Sequence, residues 1–121
     1  MIRAFLLSGS LLGLAAGSAA AEPVSAAQLA AAIPGNTIEG VLTNAGGFQY
    51  YFAPDGRLNA SGKAAAWELR GDHLCLRFDP DPVKRPECYA VDIDGDKVTL
   101  TSNGQVAAKG TLLDGNARGL Q

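Results

Sequence analysis

Cys75 and Cys88 are the side chains best equipped for chemistry in this chain, and their setting decides which chemistry. They fall on consecutive segments of alternating hydrophobicity, both on the polar side of the alternation, with twelve residues between them. Directly opposed on a hairpin, two such residues come within disulfide reach. A zinc site normally takes four ligands, and His73 is the single histidine available to join them. A redox pair is usually spaced Cys-x-x-Cys, and this pair is not. The two are read as a structural disulfide, with metal binding and free or redox-active thiols as the alternatives.

Other reactive types are scattered. His73 follows Gly71-Asp72 on a polar face, without a nucleophile elbow of the Gly-x-Ser-x-Gly kind elsewhere in the chain. Asp92-x-Asp94-Gly95-Asp96 has the look of a calcium loop, but an EF-hand needs longer spacing and a closing Glu at its twelfth position. A hairpin turn explains the same residues. Asp79, Asp81 and Glu87 offer carboxylates for glycoside hydrolysis, yet they lie in and beside a proline-punctuated loop where acids are ordinarily solvated. No catalytic residue, metal or cofactor is assigned. Side chains expected on the surface form the candidate partner-binding set: Tyr51, His73, Arg77, Asp79, Asp81, Lys84 and Arg85.

These residues must be held by small elements. Ser25 and Gln28 have capping-box spacing, with Val24 and Leu29 at the staple positions, and Pro34-Gly35 ends a short helix near Ile33. From Asn36 the period becomes two. Strands are expected at Thr37–Leu42, Phe48–Ala53, Arg57–Ala60, Ala64–Arg70, His73–Phe78, Glu87–Ile93, Lys97–Thr101 and Gln105–Leu112. Tight turns at Asp94-Gly95 and Asn103-Gly104 suit type I′ hairpins, which need positive φ at both central residues. The chain is therefore all-β, mainly antiparallel: an eight-stranded meander forming a small barrel, or a strongly curved open sheet, with one N-terminal helix.

Phe48, Tyr50, Phe52, Trp67, Phe78 and Tyr89 all fall on the expected inner faces, offset by small Gly40, Ala65, Ala108 and Gly110. An interior with that many rings is packed rather than open to a ligand. Tyr51 is the aromatic expected to point outward.

Residues 1–21 read as an export signal. Arg3 is the positive start, Ala4–Ala16 the apolar stretch and Ala19-Ala20-Ala21 the small-residue cleavage site. The alternative is an uncleaved anchor. Cleavage leaves a single domain from Glu22 to Gln121 with formal charge −3, lacking the basic footprint of nucleic-acid binding and any second apolar run long enough to span a membrane. No cysteine near the site is available to carry a lipid. The Ala- and Gly-rich composition suits a bacterial protein, placed in the periplasm or secreted.

The run Tyr51-Phe52-Ala53-Pro54-Asp55-Gly56-Arg57, then Trp67-Glu68-Leu69, Gly71-Asp72-His73-Leu74-Cys75 and Cys88, resembles a pattern in small exported proteobacterial proteins of uncharacterised function. The likeness covers most of Asn36 to Leu112. It implies a β-rich domain with one disulfide and transfers no catalytic residue. The architecture also resembles small exported β-barrel inhibitors of proteases and lysozymes at the level of fold, without an inhibitory loop motif. The expected role is a non-catalytic binding or accessory module recognising an envelope protein or cell-wall component. The alternative is an inhibitor inserting the Asp79–Pro86 loop, and a third possibility is an enzyme using His73.

Overall fold

The computed structural model describes residues 24–60, 63–78 and 85–120. The expected export signal at 1–21 lies outside them, as do Asp79, Asp81 and Lys84. Helix α1 (Ala26–Ala32) precedes eight strands: β1 (Thr37–Leu42), β2 (Gly46–Phe52), β3 (Arg57–Ala60), β4 (Lys63–Arg70), β5 (His73–Arg77), β6 (Glu87–Asp94), β7 (Lys97–Ser102) and β8 (Gln105–Leu113). Each pairs antiparallel with the next, and β8 returns to β1, so the sheet closes into a barrel. Closure takes the place of the open-sheet alternative. It removes the two free edges that an eight-stranded meander would otherwise present.

The closing seam depends on two glycines. Gly40 faces Gly110 across β1 and β8. A Cβ on Gly40 would run into the Lys109 carbonyl and the Gly110 Cα. Only residues without side chains let these backbones approach so closely.

Local signals at the helix act as expected. Ser25 N donates to Gln28 Oε1 at 2.8 Å and Gln28 N to Ser25 Oγ at 3.2 Å, completing the capping box. Seven residues would not hold as an isolated helix. Burial holds it: Val24, Leu29 and Ile33 enter one core with Ile38, Phe52, Leu58, Leu74, Val91 and Val98. β6 runs past its last pair with β5, His73↔Ala90, and the buried Val91 carbonyl accepts from Val24 N at 2.9 Å. Gly35 N also donates to Phe52 O. Helix α1 thus plugs the end of the barrel where β1 starts and β2 finishes. Among the described residues no helix is long and apolar enough to cross a membrane.

Two expectations change. The turn between β6 and β7 is Gly95-Asp96, because Asp94 pairs with Lys97. In that turn only Gly95 has positive φ (63°), the φ pattern of type II′; Asn103 (53°) and Gly104 (79°) make a type I′ pattern. The second change is Phe78. It was expected inside, but β5 ends at Arg77, so Phe78 leaves the ladder and is 38% exposed. The other five rings expected inside are buried or packed against the core.

Candidate functional site

The two ends of the barrel differ in chemistry. One carries α1 and the turns at 53–56, 71–72 and 95–96 and is closed by Leu29 and Ile33, both fully buried. The opposite end carries the 43–45 and 103–104 turns, the end of β3 and start of β4, the end of β5 and the start of β6. Val41 (59% exposed), Val106 (41%) and Phe78 (38%), the exposed large apolar residues among those described, all lie toward this open end.

Its rim is aromatic. Phe48 and Tyr50 alternate inward along β2 with ring centroids 4.6 Å apart, and Tyr50 meets Phe78 at 5.7 Å. A groove of about 330 Å³ runs along these rings, bordered by Leu42, Gln49 and Ala60. On β6, Glu87 and Tyr89 share a face by the period of two, and Tyr89 Oη donates to Glu87 Oε1 at 2.7 Å. Partial burial raises the Tyr50 phenol, and the Glu87 charge adds to the shift. Tyr89 is raised by burial first, then by its bond to Glu87 and by the Glu87 and Tyr50 charges. Both phenols remain protonated donors across the neutral range. The open end therefore presents an apolar shelf, two phenol hydroxyls, of which that of Tyr89 is held by Glu87, and one carboxylate, an arrangement suited to recognition.

The candidate partner-binding residues are not gathered into one site. Arg77 ends β5, on the outer face it shares with Glu68, and exposed Arg85 stands just before β6; both belong to the open end. His73 is at the closed end, its Nδ1 2.8 Å from Asp72 Oδ1 in an exposed turn. Tyr51 is half-buried on the outer wall, in register between Thr37 and Asn59. Those two neighbours hold the C-terminal segment: Thr37 Oγ1 donates to Gly115 O at 2.7 Å, and Asn59 Nδ2 to Leu120 O at 3.3 Å. Tyr51 thus lies along a track the chain's own tail already follows.

Cys75 and Cys88 are directly opposed in the β5–β6 register, with sulfurs 2.06 Å apart. They share the outward row with Glu68, as the alternation requires, and Cys75 is fully buried there. Among the described residues no His, Cys, Asp or Glu group is arranged to hold a metal ion. Asp92 carries one enclosed oxygen, Oδ1, without a hydrogen-bond partner, on a residue that is itself only half-buried.

Sequence reasoning missed the role of Phe78 and the pairing of Glu87 with Tyr89. The signal for Phe78 was its place two residues before Pro80, which has no N–H to give to a ladder. The Glu87–Tyr89 contact follows from i, i+2 spacing at a strand start. Comparison with known proteins returns no relative: no family model, curated protein or solved structure matches the chain.

Proposed function

We propose that this protein is an exported, non-catalytic binding or accessory module of the bacterial envelope, engaging its partner through the open end of the barrel. One observation carries this reading: among the described residues the exposed large apolar side chains, Val41, Val106 and Phe78, all lie toward the end opposite the helix plug, the end that also holds the aromatic groove. Clustered apolar exposure on a domain this small marks an interaction surface. The reading of residues 1–21 as an export signal and the paired cysteines both favour an oxidising compartment. Affinity capture from envelope extract tests it, using the wild type beside a Val41→Asp, Phe78→Asp double variant. The wild type should retain an envelope protein or cell-wall fragment that the variant releases. Equal retention by both, or none by either, would count against the reading.

A second reading, an inhibitor of a protease or lysozyme, is favoured by the bond that ties β5 to β6 at the root of the 79–86 connection. An inhibition panel separates the two. Replacing residues 79–86 by a Gly-Ser linker should abolish inhibition if that reading is right, and leave capture through Phe78 intact if it is not.

A further inference from the structure

Beside the aromatic groove, the open end holds a second depression of different chemistry. Pairing of β6 with β7 stops at Ala90↔Thr101, while Glu87–Tyr89 on one side and Ser102–Gly104 on the other run on beyond it. The β7–β8 register shifts at the same level, between Leu100 and Thr101. Such a bulge bends a hairpin. A cleft of about 630 Å³ lies there, between Glu87, the tip of the β7–β8 hairpin and the 43–45 turn. Leu42 borders both this cleft and the aromatic groove of about 330 Å³, so the two form halves of one mouth. Both volumes fall in the range of about 300–1,000 Å³ usual for ligand sites.

Hydroxyls and amides line the cleft. Thr43 Oγ1 is occupied, donating to Val106 O at 2.7 Å. The side chains of Asn44, Ser102, Asn103 and Gln105 have no hydrogen-bond partner among the described residues, and each can both donate and accept. Asn103 is placed by its turn, at φ 53°. Of the described residues lining the two halves, Glu87 alone is charged.

A highly charged ligand would find a single carboxylate in this mouth, and a wholly apolar one would strip water from the amides without replacing it. A sugar suits both halves. The C–H face of a pyranose packs on an aromatic face, and its hydroxyls pair with groups that donate and accept. An acetamido substituent adds a methyl for the Leu42 ridge and a planar amide for Asn103 or Gln105. We infer that the open end binds a neutral glycan of N-acetylated hexoses, one ring stacked on Tyr50 and Phe78 and the next held by Asn103 and Gln105. This rests on the binding reading above and names the chemistry of the ligand.

The test titrates the full disulfide-bonded protein, isotope-labelled, with the linear trimer of N-acetylglucosamine. Ring signals of Tyr50 and Phe78 and side-chain amide signals of Asn103 and Gln105 should shift together, saturating with a Kd of about 1 mM or tighter. Phe78→Ser should weaken the trimer about fivefold or more. Asn103→Gly keeps the positive φ that the turn needs and loses only the amide; it should weaken the trimer about threefold or more. Should either variant fail to fold, the other decides. The deacetylated trimer, with ammonium groups in place of acetamides, should bind about fivefold more weakly. Equal or tighter binding of that trimer would show that acetamides are not read, and would overturn the inference. Ring shifts without amide shifts would also overturn it. A protein that ignores the acetylated trimer yet still captures an envelope protein through Phe78 would overturn the glycan and leave the binding reading standing; failure of both experiments would remove both.

Discussion

The rings of Tyr50 and Phe78 meet at 5.7 Å at the open end of the barrel, joining β2 to the segment just beyond β5. Among the described residues Phe78 makes no ladder pair, and Tyr50 is the ring it packs against. Tyr50→Ala should therefore release Phe78 while the core below it stays folded. Fluctuations of the Phe78 ring, followed by relaxation of a labelled side chain, should increase; an unchanged ring would show that Phe78 is held some other way.

Reducing the Cys75–Cys88 bond should destabilise the barrel without opening it. Closing a loop of this length contributes about 2–3 kcal/mol in the chain-entropy model. The double Cys75→Ser, Cys88→Ser protein should lose that much in urea melts and become insensitive to reductant.

Closure of the barrel should be most sensitive at Gly40. A Cβ there meets backbone, which cannot swing aside, so Gly40→Ala should destabilise by about 2–3 kcal/mol or more. At Gly47 a Cβ stands 3.6 Å from Gly40 O, an ordinary contact, and Gly47→Ala should be close to neutral. Equal effects at the two positions would contradict the seam. At the plug, Leu29→Ala should cost about 2–5 kcal/mol, since that side chain is fully buried.

The tail should depend on its buried anchor more than on its ion pair. Thr37 is fully buried, and its hydroxyl donates to Gly115 O and accepts from Ala117 N. Thr37→Val leaves both groups unmatched, at about 1–3 kcal/mol. Arg118 grips both oxygens of Glu39, at 2.7 and 2.6 Å, and its hydrogen bond is the main reason the Glu39 carboxyl is held below its usual value. That pair is exposed, and Arg118→Ala should leave the melting temperature nearly unchanged.

Alkaline titration should single out the open end. Tyr50 and Tyr89 are both raised above the ordinary tyrosine value of 10.0. A phenol that stays protonated in the fold longer than in the unfolded chain gives stability that is complete below that value. It is lost as pH climbs through the folded pKa. Ultraviolet difference titration should find two tyrosines ionising late. Glu87→Gln should bring Tyr89 downward, though not to its ordinary value, because burial remains the larger cause.

Most of the architecture was legible in residue order. A period of two, capping-box spacing at Ser25 and Gln28, and turn residues between strands are local signals, and local sterics and hydrogen bonding settle them. The opposition of Cys75 and Cys88 was legible for the same reason, since a hairpin preserves the face on which each residue points. Phe78 and the open end were not. A side chain's alternation places it inward only while a ladder continues, and where β5 ends depends on partners distant in sequence. Closure through Gly40 and Gly110, the plugging of one end by Leu29 and Ile33, and the track of the tail past Tyr51 all join residues far apart along the chain. Alternation tells each strand which side to bury; only the assembled barrel decides which of its ends remains uncovered.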